Sequence, residues 1–326
     1  MTRFGYTLMS EQSGPKQLVS YAVGAERAGF DFEVSSDHYF PWLDSMGHAS
    51  YAWSMLGAVA QATNRVELMT YVTCPTGRYH PVVVAQKAAT LALLSDDRFI
   101  LGLGSGENLN EHVVGQGWPA VSVRQNKLEE AMTIIRRLHE GEQLTYDGEY
   151  FRIDQAKIWD LPERTVPIGV AVSGDQSIAR FAPLADHLIA VEPKPELVSS
   201  WDDAHPGGAS RKIGQIPICW DPDRDKAVAR AHELFRWFGG GWGVNADLPM
   251  PASFAAASQF VRPEDVAESI ACGPDLDELA ESVKPFWEAG FTDVAVVQVG
   301  DEGQQDFLDQ AARPLLERLR ALAPAA

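Results

Sequence analysis

Short apolar segments that alternate with stretches of helical periodicity constrain the fold of this 326-residue chain more than any other feature. The segments predicted as strands are residues 4–8, 32–35, 66–72, 99–103, 168–171, 188–191, 216–219 and 294–299. The predicted helices between them include residues 18–27, 82–94, 125–140, 226–238 and 307–322. Such alternation predicts a parallel α/β sheet, and eight strands favour a closed (β/α)8 TIM barrel over an open doubly wound sheet.

Three stretches lie outside the minimal barrel. Residues 144–153 alternate around Asp147-Gly148, which predicts a hairpin. Residues 193–212 and 239–253 are rich in Gly and Pro, which predicts long loops. The segment after the first strand, residues 10–15, lacks the Gly-x-Gly-x-x-Gly fingerprint of a dinucleotide-binding sheet. We therefore expect one barrel domain over residues 1–326, with insertion loops and a small hairpin.

Charge and cysteine usage narrow the class of protein. The 45 acidic and 27 basic residues give a formal charge of −18. The chain therefore lacks the excess of basic residues expected of a protein that binds nucleic acid or an anionic membrane. No leader pattern and no run of about 18 apolar residues is present, which predicts a cytoplasmic protein. Cys74, Cys219 and Cys272 are far apart in sequence, and we predict free thiols and no metal site.

Polar groups follow five consecutive predicted strands, at the ends where a TIM barrel carries its chemistry. They are Glu11, Asp37-His38, residues 71–76, Ser105-Gly106-Glu107 with Asn110, and Ser173-Gly174. Because the carboxyl ends of all barrel strands lie at one rim, the sequence predicts that these groups surround a common site.

His38 is the candidate general base. An imidazole with an ordinary pKa near 6.5 accepts a proton from an alcohol at neutral pH, and a carboxylate within reach would fix its tautomer. A hydrogen-bonded structural pair accounts for Asp37-His38 equally well at this stage. Trp42, four residues further on, is compatible with stacking beside a ring substrate and with plain core packing.

Two glycine-containing turns supply further candidates. Glu107 follows the second glycine of Gly104-Ser105-Gly106 and is a candidate acid. Asn110 is nearby in sequence, and its side-chain amide can both donate and accept hydrogen bonds. Ser173-Gly174 precedes a predicted helix, whose free N–H groups suit a phosphate; an ordinary N-cap is the alternative.

Taken together, these motifs resemble the luciferase-like superfamily, and more closely its branch of coenzyme F420-dependent oxidoreductases similar to glucose-6-phosphate dehydrogenase. The resemblance covers nearly the whole chain. It rests on Ser10-Glu11-Gln12, residues 36–42 (Ser-Asp-His-Tyr-Phe-Pro-Trp), residues 75–79 with Pro81, residues 102–111 and residues 272–275 (Cys-Gly-Pro-Asp).

The resemblance implies a role for each matched residue. His38 would abstract the hydroxyl proton while hydride passes to the deazaflavin, Trp42 would stabilise the reacting centre, and Glu107 would donate a proton to the coenzyme. Glu11 would line the same pocket. The implied cofactor contacts are Asp37, Tyr71, Val72, Cys74, Ser105, Gly106, Asn110, Ser173, Gly174 and Ser177. A non-proline cis peptide is implied at Tyr71–Val72, and Cys74 replaces a threonine, which removes a hydroxyl donor.

The substrate half departs from the glucose-6-phosphate enzymes, which hold the phosphate with a threonine, two lysines and an arginine. Val191 stands at the threonine, and Lys194 is the basic match. A dianion would therefore be poorly paired. We predict a secondary alcohol or hemiacetal other than glucose 6-phosphate, and a more apolar ligand is indicated by four aromatic residues on the predicted covering loops. These are Trp220, Trp242, Phe254 and Phe260.

Two other functions stay open. A luciferase-like monooxygenase that uses flavin mononucleotide (FMN) would have the same architecture, and a cofactor-binding subunit without turnover would explain the missing cations. The resemblance also implies a homodimer. The direction of the reaction is open.

Overall fold

Eight parallel strands close into a barrel in the computed structural model, which describes residues 2–207 and 209–324. The strands are β1 Arg3–Leu8, β2 Phe32–Ser35, β3 Glu67–Thr70, β4 Phe99–Leu103, β5 Leu144–Asp147, β6 Arg152–Ala156, β7 Ile168–Ala171, β8 His187–Ile189, β9 Lys212–Cys219, β10 Ala271–Cys272 and β11 Asp293–Gln298. The barrel order is β1-β2-β3-β4-β7-β8-β9-β11, and β11 pairs with β1 to close it. The predicted (β/α)8 barrel is confirmed.

Helices connect successive strands and surround the barrel. The helices are α1 Pro15–Ala28, α2 Ala52–Ala62, α3 Pro81–Leu94, α4 Asn108–Glu111, α5 Val121–His139, α6 Asp175–Phe181, α7 Pro195–Ala204, α8 Arg224–Phe235, α9 Trp242–Asn245, α10 Pro251–Ala257, α11 Pro263–Ser269, α12 Leu276–Glu288, α13 Gln304–Asp306 and α14 Ala312–Leu322. Short 3-10 helices occupy Asp44–Met46, His112–Val114, Arg236–Gly240 and Asp301–Gly303, and a π-helix occupies Phe307–Ala311. Among residues 2–207 and 209–324, none of the helices is long and apolar enough to span a membrane.

The barrel interior is filled by apolar side chains from alternate strand positions. Phe32 and Val34 of β2 point inward, while Glu33 between them is buried on the outer side among the helices. The interior cluster comprises Phe32, Val34, Met69, Ile100, Ile189, Ile213 and Ala295. Because this layer fills the barrel, a ligand can enter only at the rim above it.

The prediction of a long loop over residues 193–212 is wrong in part. It contains helix α7, which starts with Pro195 in its first turn and buries Leu197, Val198 and Trp201 on one side. Strand β9 then begins at Lys212, four residues before the prediction. Residues 239–253, predicted as a long loop, include α9 and the start of α10.

The predicted hairpin is confirmed as the antiparallel pair β5 and β6. The Glu130 carboxylate of α5 accepts hydrogen bonds from the backbone N–H groups of Tyr150 and Phe151, the latter at 2.9 Å. The hairpin is thereby held against α5, outside the barrel sheet.

Candidate active site

The floor of the site is formed where β3 ends. The Tyr71–Val72 peptide bond is cis, as predicted. Tyr71 and Val72 are half-buried and pack with Ala171 against the interior cluster. A Cβ at Gly104 would lie 2.6 Å from Val72 Cγ2, so only glycine leaves room for this side chain. The result is a small apolar platform at the barrel mouth.

His38 lies between two carboxylates at this mouth. Its Nδ1 is 3.1 Å from Glu11 Oε1 and its Nε2 is 3.5 Å from Glu107 Oε1. Nδ1 also lies 3.3 Å from the backbone carbonyl oxygen of Phe40. Glu11 Oε1 is close to the ring without meeting hydrogen-bond geometry, so the Phe40 carbonyl is the formed contact and Glu11 supplies charge. Three predicted residues from three different strand ends are therefore brought together.

Glu11 is held rigidly on the loop after β1. Its side chain is 1% exposed, and its Oε2 accepts hydrogen bonds from the hydroxyl groups of Ser10, at 3.1 Å, and Ser36. The Ser36 hydroxyl in turn accepts a hydrogen bond from the Ser10 backbone N–H at 3.0 Å. These two serines orient the carboxylate, a role that the sequence prediction did not assign to them.

Asn110 joins the turn that carries Glu107 to the loop that carries His38. Its Nδ2 donates to Glu107 Oε1 at 2.5 Å, and its Oδ1 accepts from the backbone N–H groups of Tyr39 at 2.6 Å and Phe40 at 3.0 Å. Asn110 is fully buried, whereas the implied role was a cofactor contact. In this structure it positions Glu107 relative to the segment that carries His38.

Asp37 points away from its sequence neighbour His38. Its carboxylate accepts hydrogen bonds from Thr73 Oγ1 at 2.7 Å, Tyr79 Oη at 2.9 Å and Trp53 Nε1 at 3.1 Å. The side chain is 0% exposed. The Asp37 carboxylate is thus occupied by protein donors, and the carboxylates beside the imidazole come from other strands. The cofactor contact of Asp37 stays a prediction.

Asp37, Arg78 and Glu111 form a buried charge cluster beneath the site. Arg78 Nη2 lies 3.3 Å from Asp37 Oδ1, and Glu111 Oε2 accepts the Arg78 backbone N–H at 3.0 Å. Burial raises the pKa of Glu111 to about 7, although Arg78 acts in the opposite direction, and Glu107 and Asp37 raise it further. Burial likewise raises the pKa of the Cys74 thiol well above its usual value. No role was predicted for Arg78 or Glu111.

Gly106 is required by the turn that presents Glu107. Its φ is +89°, and a Cβ would lie 2.8 Å from Glu111 Cγ and 3.6 Å from the Cys74 side chain. Ser105 is half-buried beside it. Cys74 thus packs against this turn as a buried thiol, close to the buried charge cluster.

Trp42, Trp237 and Phe254 form an aromatic wall beside the imidazole. The Trp42 and Trp237 rings stack with centroids 4.1 Å apart and an interplanar angle of 13°, and Phe254 packs edge-on at 5.2 Å. The His38 ring is 4.8 Å from Trp42. Trp237 was not predicted for the site, because its only sequence signal is an aromatic residue at the end of a predicted helix.

The other three aromatic residues predicted to cover the pocket lie elsewhere. Trp220 is buried and packs near Phe307 of the helix layer, with ring centroids 6.4 Å apart. Trp242 is 44% exposed and Phe260 is 86% exposed. Of the four residues, only Phe254 belongs to the aromatic wall.

The turn before α6 satisfies its own amides. The backbone N–H groups of Ser173 and Gly174 lie 3.2 and 3.3 Å from Ser177 Oγ, and this hydroxyl donates to the Gly174 carbonyl at 2.7 Å. Ser173 is exposed and Ser177 is buried. The N-cap residue is Gly174, so the alternative of a Ser or Asp N-cap is wrong. A phosphate would have to compete with the Ser177 hydroxyl for the amides of Ser173 and Gly174.

The two residues predicted for substrate binding lie on the surface. Val191 is 46% exposed. Lys194 forms an ion pair with Glu192, and both side chains are about half exposed. The contact with Glu192 raises the pKa of Lys194. Across the described parts of the chain, no group of three or more His, Cys, Asp or Glu side chains is arranged to hold a metal ion.

A closed barrel with acid, base and aromatic groups at its carboxyl rim defines a TIM-barrel enzyme. The family model of luciferase-like monooxygenases matches residues 1–293, and the chain belongs to this family. F420-dependent glucose-6-phosphate dehydrogenases are relatives over the full length. The protein from Microbacterium testaceum is 34% identical over 98% of this chain and 97% of its own, and that from Amycolatopsis mediterranei is 35% identical over 99% and 100%.

Solved structures give the same picture. An F420-dependent secondary alcohol dehydrogenase, solved with an F420–acetone adduct, has a TM-score of 0.89 and 27% identity, and covers 98% of this chain and 99% of that one. The coenzyme F420-dependent tetrahydromethanopterin reductase of Methanopyrus kandleri has a TM-score of 0.75 and 20% identity over 97% of both chains. The second similarity supports the fold alone.

Proposed function

We propose that this protein is a coenzyme F420-dependent oxidoreductase that transfers hydride between the deazaflavin and a secondary alcohol, or hemiacetal, or the corresponding carbonyl compound. The observation that carries the proposal is the His38 imidazole between Glu11 and Glu107, next to Trp42. Relatives that are named as F420-dependent dehydrogenases support the cofactor and the reaction class.

The residues at the mouth fit a flat tricyclic ring. Val72 and Ala171 offer an apolar surface, and Gly104 keeps that surface free of a further side chain. Bound F420 would supply the hydride-accepting ring; the protein supplies orientation and proton transfer. The residues proposed to contact the coenzyme are Tyr71, Val72, Cys74, Ser105, Gly106, Ser173, Gly174 and Ser177, with Asp37 and Asn110 acting indirectly.

His38 is suited to receive the hydroxyl proton through Nε2. When Nδ1–H donates to the Phe40 carbonyl, the Nε2 lone pair is free to accept. The buried carboxylate of Glu11 then stabilises the imidazolium that forms, since opposite charges attract strongly where water is excluded. Glu107, 11% exposed and held by Asn110, is proposed as the proton donor to the coenzyme.

The substrate is proposed to be less polar than a sugar phosphate. Lys194 is neutralised by Glu192 at the surface, and Val191 offers no hydrogen bond. The aromatic wall presents apolar surface beside the base instead. A desolvated dianion would lack partners in this environment, whereas a small alkyl ketone or secondary alcohol would not.

The first experiment measures binding and reduction of F420. We expect micromolar or tighter binding by fluorescence titration, and coenzyme reduction with secondary alcohols that far exceeds the rate with glucose 6-phosphate. Absence of F420 binding would refute the proposal. Binding of FMN with oxygen uptake by the reduced flavin would favour the monooxygenase instead, and binding of F420 without turnover on any alcohol or carbonyl compound would favour the inactive subunit.

His38→Ala tests the base. Loss of general-base catalysis is expected to lower kcat about 100-fold to 10,000-fold. His205→Ala is the matched control, because His205 follows the C-terminus of α7 and so lies at the opposite end of the barrel from the rim. Equal rates for His38→Ala and His205→Ala would contradict the assigned role. A homodimer in the cytoplasm is also proposed; the resemblance implies the dimer, and light scattering tests its mass.

A further inference from the structure

Cys219 and Cys272 lie side by side although their positions in the chain differ by 53. Cys219 ends β9, Cys272 ends β10, and the two are direct partners in the parallel pairing of these strands. The backbone N–H of Gly273 also donates to the Cys219 carbonyl at 2.9 Å. Neighbouring strands are about 4.8 Å apart. A disulfide accepts Cα separations of about 4.4–6.8 Å, so the backbone already has a compatible spacing.

The strand pairing places the two thiol groups next to each other. Each thiol donates a hydrogen bond to a backbone carbonyl, Cys219 to Ala227 and Cys272 to Ile270, both at 3.2 Å. The Arg230 guanidinium lies near Cys219. The contact with Cys272, together with Arg230, lowers the pKa of Cys219, while the same contact raises the pKa of Cys272. A thiolate is the nucleophilic form of cysteine. Cys219 is therefore the attacking thiol and Cys272 the resolving one.

We propose that Cys219 and Cys272 form a redox-active dithiol that a hydroperoxide converts into a disulfide. The Cys219 thiolate attacks the peroxide oxygen, the O–O bond breaks, and a sulfenic acid forms with release of water or an alcohol. Cys272 sulfur then attacks Cys219 sulfur, and the hydroxyl group leaves as water with the Cys272 proton. Two thiols lose two electrons and two protons, and the peroxide is reduced by the same two electrons. An external dithiol reverses the reaction.

The dithiol lies next to the aromatic wall. Both cysteines belong to the apolar cluster that contains Trp42, Trp237 and Phe254. A disulfide would fix the end of β9 to the strand that follows α11, and α11 packs on α8 and on the 3-10 helix that carries Trp237. Oxidation is therefore coupled in space to the wall of the site, while the chemistry of the dithiol is independent of the proposed hydride transfer.

The test uses the intact protein without added coenzyme. It is treated with hydrogen peroxide and, in parallel, with diamide, which reaches buried thiols by a different chemistry; it is then denatured, alkylated and analysed by peptide mass spectrometry. We expect the loss of two hydrogens per chain, a Cys219–Cys272 cross-linked peptide, and full reversal by dithiothreitol. Cys74→Ser should keep the cross-link.

Single variants separate the two roles. Cys272→Ser should accumulate a sulfenic acid at position 219 that dimedone traps, and Cys219→Ser should form neither the cross-link nor a trapped sulfenic acid at position 272. Full alkylation of both cysteines after both oxidants would overturn the proposal. So would irreversible sulfinic or sulfonic acids in place of the disulfide, or a cross-link through Cys74 or between chains. The wild-type result decides even if a variant does not fold.

Discussion

Replacement of Glu111 by Gln tests the buried charge cluster beneath the site. Glu111 is 4% exposed, and burial raises its pKa from 4.5 to about 7 against the opposing charge of Arg78. Gln keeps an oxygen that can accept the Arg78 backbone N–H, which Glu111 Oε2 accepts at 3.0 Å. The substitution therefore removes the titration with little change of shape.

The magnitude follows from linkage. The folded protein binds the Glu111 proton more tightly than the unfolded chain, so stability falls as the pH rises from about 4.5, where the unfolded chain ionises, to about 7, where the folded one does. One pKa unit corresponds to about 1.4 kcal/mol, so the loss from this group is about 3–4 kcal/mol. Above pH 7 the loss is complete and no longer changes.

Urea denaturation of the coenzyme-free protein between pH 5 and 8.5 measures this effect. The free energy of unfolding of Glu111→Gln, measured relative to that of the wild type, should rise across this range by most of the loss given above. The difference should become constant above neutral pH. Glu149→Gln, at an exposed position on the hairpin turn, is the control and should follow the wild type. Parallel pH profiles for wild type and Glu111→Gln would show that Glu111 ionises normally in the folded state and would refute the reasoning.

Three further substitutions test the wall, the platform and the helix layer. Trp237→Ala removes a stacked, buried ring and should lower the free energy of unfolding by about 3–5 kcal/mol in urea titrations. Trp237→Phe should lose less, and an equal loss in both variants would contradict a role for stacking. Gly104→Ala puts a methyl group 2.6 Å from Val72 Cγ2 and should weaken F420 binding about tenfold in fluorescence titrations. Gly57→Ala is the control, because its methyl group meets nothing within 4 Å, and it should leave binding unchanged. Equal affinities of Gly104→Ala and Gly57→Ala for F420 would contradict a role of the platform in binding. Burial raises the pKa of Glu33, whose carboxyl oxygens lack hydrogen-bond partners, so raising the pH above about 4.5 should lower the wild-type Tm more than that of Glu33→Gln; identical Tm profiles would contradict this.

The barrel was predictable because its strands are local features. Runs such as residues 99–103 and 168–171 are continuous apolar segments, as expected for strands covered on both faces, and both match the observed strands. Helix α7 was missed because Pro and Gly around it resemble a loop, while its buried Leu197, Val198 and Trp201 form only one short apolar stripe. Local composition outweighed periodicity at this point.

The site was predictable only as far as strand ends determine it. Glu11, His38 and Glu107 come together because each follows a strand of one closed barrel. Which way a side chain turns after its strand is not determined in this way, and so the sequence did not predict that the Asp37 carboxylate accepts a hydrogen bond from Thr73. Trp237 joins the site through packing across a sequence separation that no local pattern reveals.

The position of Asn110 has a consequence for which parts of the site can change in sequence independently of one another. A single buried amide sets the spacing between the loop with His38 and the turn with Glu107, and all three residues lie within residues 38–110 of the chain. Trp237 and Phe254, which face the same opening, come from a later segment and make no part of that spacing. The Trp237 and Phe254 side chains can therefore be varied to change the apolar surface beside His38, while the hydrogen bonds that link the His38 loop to Glu107 through Asn110 remain.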